Sequence, residues 1–192
     1  MKFIKKLDKK KRLLLLGCLA LTIAVIVTII LLIVGNAKSN SIEGLTKSYM
    51  KKYQKLDKEV VNKIKYEFDD KLTPTQKQKY KTIIENQYEE LEYDIVEVRK
   101  DGVMGEVDVR FSVYDLASAM EQANSYIAVY GDKFKKNGKF DEYAAIDYKL
   151  EMLDDVETKV DYTITFNFYK DDGTWIMDEV LEPDLKKIRG TF

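Results

Sequence analysis

Residues 13–34, LLLLGCLALTIAVIVTIILLIV, are 22 positions without a charge, an amide side chain or a proline, diluted only by Gly17, Cys18, Thr22 and Thr28. A helix rises about 1.5 Å per residue, so this run would reach roughly 33 Å. The hydrocarbon core of a bilayer is about 30 Å thick. In lipid every backbone N–H and C=O has to be bonded within the chain, and a helix achieves this in one segment. The run therefore predicts a transmembrane helix. The preceding residues 1–12 carry Lys2, Lys5, Lys6, Lys9, Lys10, Lys11 and Arg12 against Asp8 alone, a net charge of +6. The following linker, residues 35–40 (GNAKSN), carries only Lys38. Positive-inside bias predicts a cytoplasmic head at 1–12, a single-pass span in the cell membrane at 13–34, and residues 41–192 outside.

Two other readings of the run fit less well. A cleaved signal peptide ending at Gly35-Asn36-Ala37 would have an apolar region of about 7–15 residues, shorter than this one. Leu15-Leu16-Gly17-Cys18 looks like a lipobox, but the apolar run continues for 16 residues beyond Cys18, where a lipidated cysteine would end it. Within a span, Cys18 is a small apolar residue.

Beyond the span the chain has 25 basic and 32 acidic residues, a net charge of about −7, which argues against nucleic acid as a partner. There is no histidine, and Cys18 is the single cysteine. This removes the commonest general base and metal ligand, a histidine-activated nucleophile, and any disulfide or thiol site in residues 41–192. No cofactor and no metal site are expected. Arginine occurs only at 12, 99, 110 and 189, so a carboxylate or phosphate clamp built on it is disfavoured. With 13 Tyr, 8 Phe and Trp175, packing of large rings has to hold the fold.

Residues 41–192 read as one α+β domain. Ile42, Leu45, Tyr49, Tyr53, Leu56, Val60 and Ile64 recur at helical spacing, as one helix over 41–68 or as two with a bend near Lys55. Such a stripe suits a dimerising stalk, or a helix packed on its own domain, which the tyrosines on the seam favour. Thr73-Pro74-Thr75-Gln76 is a capping box with proline in the first turn, and Tyr80, Ile83, Ile84, Gln87, Tyr88 and Leu91 mark that helix's buried face. From Tyr93 the period becomes two. Asp101-Gly102 predicts a type I′ hairpin turn, after which Val103, Val107, Val109, Phe111 and Val113 face one way. Asp115 caps a helix with Leu116, Ala119, Met120, Ala123, Ile127 and Tyr130 inward and Gly131 as its closing glycine. Residues 133–139 read as a solvated basic turn, and Asp141 caps a further helix near 142–153. A second hairpin follows, with a strand over 156–168, a turn at Asp171-Asp172-Gly173, and a return through Trp175. Pro183 ends it before one helical turn over 184–188. Two hairpins with segregated helices predict helices packed on a curved antiparallel sheet.

The carboxylates offer little chemistry. Asp108 and Asp161 would form an acid–base pair only if neighbouring strands brought them together on one face. Asp171-Asp172-Gly173 lacks the alternate ligands of a calcium loop, and Asp69-Asp70 and Asp154-Asp155 read as surface charge at helix ends. If the curved sheet and its helices enclose an open cone, its lining is Tyr80, Tyr88, Phe111, Tyr126, Tyr162, Phe166 and Trp175, a pocket for a small apolar ligand. Packed together, the same rings are ordinary core.

Leu72-Thr73-Pro74-Thr75-Gln76-Lys77, Tyr80, residues 87–93 (QYEELEY), residues 109–116 (VRFSVYDL), Tyr148-Lys149-Leu150 and the tail from Trp175 to Gly190 together resemble uncharacterised, membrane-anchored exported proteins of low-GC Gram-positive bacteria. Their outer domain is similar to the cystatin-like cone typified by nuclear transport factor two. Helices between two hairpins depart from that fold's usual helices-then-sheet order. The resemblance implies location and fold but carries over no catalytic residue. The expectation is an extracytoplasmic binding module of the cell envelope with a protein partner or apolar ligand and no catalysis. The alternatives are a structural subunit of an envelope assembly, such as a conjugation or type IV secretion apparatus, and an enzyme using a pocket carboxylate.

Overall fold

A computed structural model describes residues 40–68 and 72–192. The expected head, span and nearly all of the linker, and the Asp69-Asp70 pair, lie outside the described residues. Among those described, no helix is long and apolar enough to cross a membrane.

The fold is α+β. Helix α1 (Ile42–Gln54) starts at Ser41, whose side chain accepts from the Gly44 N–H. It stops at Lys55, and Leu56 takes a left-handed φ of 49°. Asp57 then caps α2 (Lys58–Val61), a single turn. The helical stripe is thus broken where a bend was expected, and Ile64 falls in irregular chain. The buried line of α1 is Ile42, Thr46, Met50 and Tyr53, facing its own domain. Helix α3 (Pro74–Glu89) carries the full capping box between Thr73 and Gln76, and its expected face is buried.

Strands β1 (Glu92–Asp101) and β2 (Met104–Tyr114) form the first hairpin. Asp101 pairs with Met104, so the two turn residues are Gly102-Val103, one position later than expected. Only Gly102 has positive φ, the pattern of a type II′ turn, which needs glycine first. Val103 sits in that turn, exposed, and does not join Val107, Val109, Phe111 and Val113 on the buried face. Ile95 pairs with Val109 and Glu97 with Asp108, which leaves Val96 as a bulge on this edge strand.

Helix α4 (Leu116–Val129) is capped by Asp115. Gly131 does not close it with a left-handed turn. It opens a 3₁₀ turn (Gly131–Phe134) instead, and Tyr130 is exposed. The basic segment is a miniature hairpin of β3 (Lys135–Lys136) and β4 (Lys139–Phe140), where Asn137 and Gly138 both take positive φ. Asp141 accepts from two backbone N–H groups at the start of α5 (Glu142–Asp154). Strand β5 (Lys159–Asp171) begins later than expected, with Val156 before it, and Asp172-Gly173 turns the chain into β6 (Thr174–Met177). The closing element is a full helix, α6 (Glu182–Arg189), with Pro183 in its first turn and Gly190 at φ 72° beyond its end.

The main sheet has the order β1-β2-β5-β6, antiparallel throughout. Val107, Val109, Phe111 and Val113 of β2 meet Ile164, Phe166 and Phe168 of β5 on its inner face. Helices α1 and α6 lie against that face, α3 packs on both, and α4 and α5 pair with each other beside α3. Burying each such side chain contributes about 1.5–3 kcal/mol as an upper bound. The outer face is polar, as expected for an antiparallel sheet covered on one side.

Candidate functional site

The irregular chain after α2 runs back towards α6, because Lys65 and Glu67 have partners there. Lys65 Nζ donates to Glu182 Oε2 at 2.7 Å. Arg189 Nη2, at the far end of α6, donates to Glu67 Oε1 at 3.4 Å and also to Glu182 Oε1. These contacts leave a groove of about 470 Å³ between α1–α2 on one side and the β6–α6 connection with α6 on the other. Its floor is Tyr53, Val60, Tyr88, Met177, Val180 and Leu185, and its rim is Lys52, Glu59, Lys63, Lys65, Asp178 and Glu179.

The floor is a ladder of rings. Tyr49 and Tyr53 share a hydroxyl–hydroxyl hydrogen bond of 2.9 Å, and Tyr53 meets Tyr88 edge-to-face at 5.0 Å. Burial pushes the Tyr53 phenol far above its ordinary value, and the neighbouring Tyr49 adds to this. Burial raises Tyr88 to about 12, against the opposing pull of Arg189. Both are therefore neutral hydrogen-bonding groups near neutral pH. Arg189 is 2% exposed, and its Nε has no hydrogen-bond partner. Burial disfavours its charge, but Glu182, Tyr88 and Glu67 more than offset that, so it remains a cation. Hydrogen bonds from Lys65 and Arg189 hold Glu182 below the usual carboxylate range. Glu59 is paired with Lys52 at 3.1 Å and Lys63 at 3.5 Å. The groove thus offers apolar floor and phenolic hydroxyls, with most of its charges already engaged by one another.

The seven pocket candidates do not line one cavity. Phe111 and Phe166 are fully buried between helices and sheet, with rings 6.3 Å apart, and Tyr80 is fully buried against Tyr66 and Phe68 of the irregular chain after α2. Only Tyr88 reaches the groove. Tyr126 stacks on Tyr148 at 4.9 Å in the α4–α5 pair, with Lys133 over its ring. Tyr162 lies edge-to-face with Phe192, and Trp175 sits near the tip of the second hairpin with Lys170 5.0 Å from its ring. The physical reason is topology: alternation assigns a ring to a face but not to a position along it.

Asp108 and Asp161 are not together either. Asp108 stands opposite Thr165 and Asp161 opposite Ser112, four positions or about 13 Å along the strand. Asp108 is taken by Arg99, at 2.6 and 3.0 Å, and by the Thr165 hydroxyl at 2.7 Å. The same Arg99 holds Glu97 at 2.6 Å and Glu106 at 2.9 Å. Arg110 reaches Asp94 at 3.4 Å. Each described arginine clamps the protein's own carboxylates. The scarcity of arginine, read from the sequence as disfavouring a carboxylate clamp, therefore pointed away from Arg189, whose planar fork holds Glu67 and Glu182. Among the described residues no group of three or more acidic, cysteine or histidine side chains gathers as a metal site would require.

No family model matches the chain, and neither a curated protein nor a solved structure is similar enough to count as a relative.

Proposed function

We propose that the chain is a single-pass protein of the cell membrane whose domain outside the cytoplasm binds a protein partner of the envelope without catalysing a reaction. The observation that carries this reading is the filled interior. Among the described residues Phe111, Phe166 and Phe168 are packed solid on the inner face of the sheet, which supports recognition at the surface rather than inside a cone. The groove between α1–α2 and α6 is the proposed contact, its apolar floor and charged rim matching the core and rim of a protein interface. The run at 13–34 supports the location. One-sided packing of helices on an antiparallel sheet supports a cystatin-like cone, with α4 and α5 inserted between the hairpins as its departure.

The assembly-subunit reading is favoured by a second observation. Val129 and Tyr130 at the end of α4, Phe140 in β4 and Tyr143 at the start of α5 are exposed. Several large apolar side chains on one lobe suit a permanent neighbour. The enzyme reading has less support, because Asp108 already accepts from Arg99 and Thr165.

The test places a photo-crosslinking residue at Lys63 on the groove rim, and separately at Tyr143, in the full chain in its own membrane. A discrete protein adduct from position 63 supports the groove, and one from 143 alone supports the assembly reading. Turnover of an envelope substrate that is lost in Asp108→Asn would overturn the non-catalytic reading. With Cys18 replaced by serine, labelling of Lys63→Cys by an impermeant maleimide only after lysis would overturn the location.

A further inference from the structure

The start of α1 and the two hairpin tips occupy the same end of the domain. Ile42, the first residue of α1, packs against Gly105 next to the first tip: a Cβ there would stand 3.0 Å from Ile42 Cδ1 and 3.3 Å from the Trp175 ring. Met104 pairs with Tyr169 across β2 and β5, and the Lys170 N–H donates to the Val103 carbonyl at 2.8 Å, so the tips are tied to one another. This end carries exposed apolar side chains: Val103 is 60% exposed, Met104 54% and Tyr169 40%. Trp175 lies beside them with the Lys170 ammonium over its ring.

We propose that these hairpin tips rest in the interfacial layer of the bilayer and fix the domain's orientation on it. The inference rests on reading residues 13–34 as an anchor. Seven Cα–Cα steps separate Val34 from Ser41, so the chain cannot carry the start of α1 more than about 25 Å from the end of the span. Strand β5 alone, at 13 residues, is about 43 Å long, so the opposite end of the sheet is farther away than the tether reaches in an upright domain. The exposed tip is therefore the part of the domain held nearest the lipid. Its composition suits the interface: Tyr and Trp belong at headgroup level, and a lysine there keeps its ammonium in water. Asp101, Asp171 and Asp172 outnumber Lys100 and Lys170 in the same turns. The contact is accordingly apolar rather than electrostatic, unlike a polybasic patch that needs anionic lipid.

The test uses the full chain with Cys18 replaced by serine, reconstituted in phosphatidylcholine vesicles with or without one third phosphatidylglycerol. A nitroxide is attached at Val103→Cys or, as a control on the other lobe, at Tyr143→Cys. Flotation after carbonate wash reads the anchor, and the oxygen-to-nickel collision ratio reads the depth of the label. The expected result is a several-fold higher ratio at 103 than at 143, in both lipids, reduced to the level of 143 by Met104→Asp and Tyr169→Asp together. Met104→Asn with Tyr169→Asn, which puts no like charges opposite each other across β2 and β5, should lower the ratio in the same way, and circular dichroism shows that each variant keeps the wild-type fold. Protein that floats while 103 and 143 are equally accessible to nickel overturns the proposal and leaves the anchor standing. Protein that does not float overturns the anchor and the proposal with it. Spin–spin broadening at 103 that vanishes on dilution with unlabelled protein would instead assign the tip to a second copy and also overturn it.

Discussion

Gly190 lies so close to Tyr114 that any Cβ at position 190 would overlap the Tyr114 carbonyl oxygen. The same residue takes φ 72° beyond the end of α6, and its carbonyl accepts from the Ala117 N–H at 2.9 Å. The last helix is thereby latched over the junction between β2 and α4. Gly190→Ala combines left-handed strain of about 1–2 kcal/mol with overpacking of about 1–3 kcal/mol. The expected outcome is a loss of about 2–5 kcal/mol, read as a lower urea midpoint with an unchanged slope.

Gln87 satisfies the same stretch of backbone from the side. Its Oε1 accepts from the Tyr114 N–H at 3.1 Å and its Nε2 donates to the Tyr114 carbonyl at 3.5 Å, an imitation of a peptide group. Gln87 is 2% exposed. Gln87→Met keeps the volume and strands both backbone groups, which costs about 1–3 kcal/mol. Gln87→Glu retains the acceptor but turns an anion towards a carbonyl. It should be less stable than wild type at neutral pH and recover part of the loss as pH falls from its burial-raised folded value towards the unfolded value of about 4.3, because the protonated carboxyl can donate. Urea titrations at neutral pH and across that range check this.

What was legible in the sequence was local. Thr73 and Gln76 announce a capping box because both partners lie within one turn, and the alternation from Val107 to Val113 announces a buried face for the same reason. The α3 face was readable from Tyr80 to Leu91 because one period governs it. The turn at Gly102 was displaced by one residue because Asp-Gly suits several turn types, and the pairing of Asp101 with Met104 decides among them. The groove was not legible. Lys65 and Glu182 are 117 positions apart, and Arg189 and Glu67 are 122 apart. Their meeting depends on the whole sheet having placed α6 beside α2. The aromatic residues were identifiable as core or lining, but the division of Tyr88 from Tyr126 and Tyr162 depends on which helices share a layer.

Arg99 makes the outer sheet face sensitive to acid. Its hydrogen bonds hold the Asp108 carboxyl below the usual range, helped by Thr165. A depressed folded-state value means that this contribution is present above the unfolded pKa of about 3.9. It is lost as pH falls through the lower folded value. Asp108→Asn should therefore be less stable than wild type at neutral pH and converge with it as pH falls through the lowered folded-state value of Asp108. Thermal midpoints of the two proteins across the acid range test this, and parallel curves would remove Asp108 from the acid response.

The buried tyrosines predict the opposite limb. Burial raises Tyr53, Tyr80 and Tyr88, the last to about 12, whereas an unfolded tyrosine ionises near 10. Between those values the unfolded chain has lost phenolic protons that the folded chain retains. The proton difference has the sign that lowers stability as pH rises. The contribution is intact below about pH 10 and falls by about 1.4 kcal/mol per pH unit for each such tyrosine. Alkaline unfolding should accordingly be steep and cooperative, with phenolate absorbance from these three rings appearing together with the loss of helical circular dichroism. Tyr88→Phe removes one titrating group and leaves the ring stack with Tyr53 in place. The slope of stability against pH between 10 and 12 should then drop by about 1.4 kcal/mol per unit. Phenolate absorbance that reached its full amplitude before the circular dichroism changed would show that the three hydroxyls ionise in the folded state, and would refute the burial argument for the groove floor.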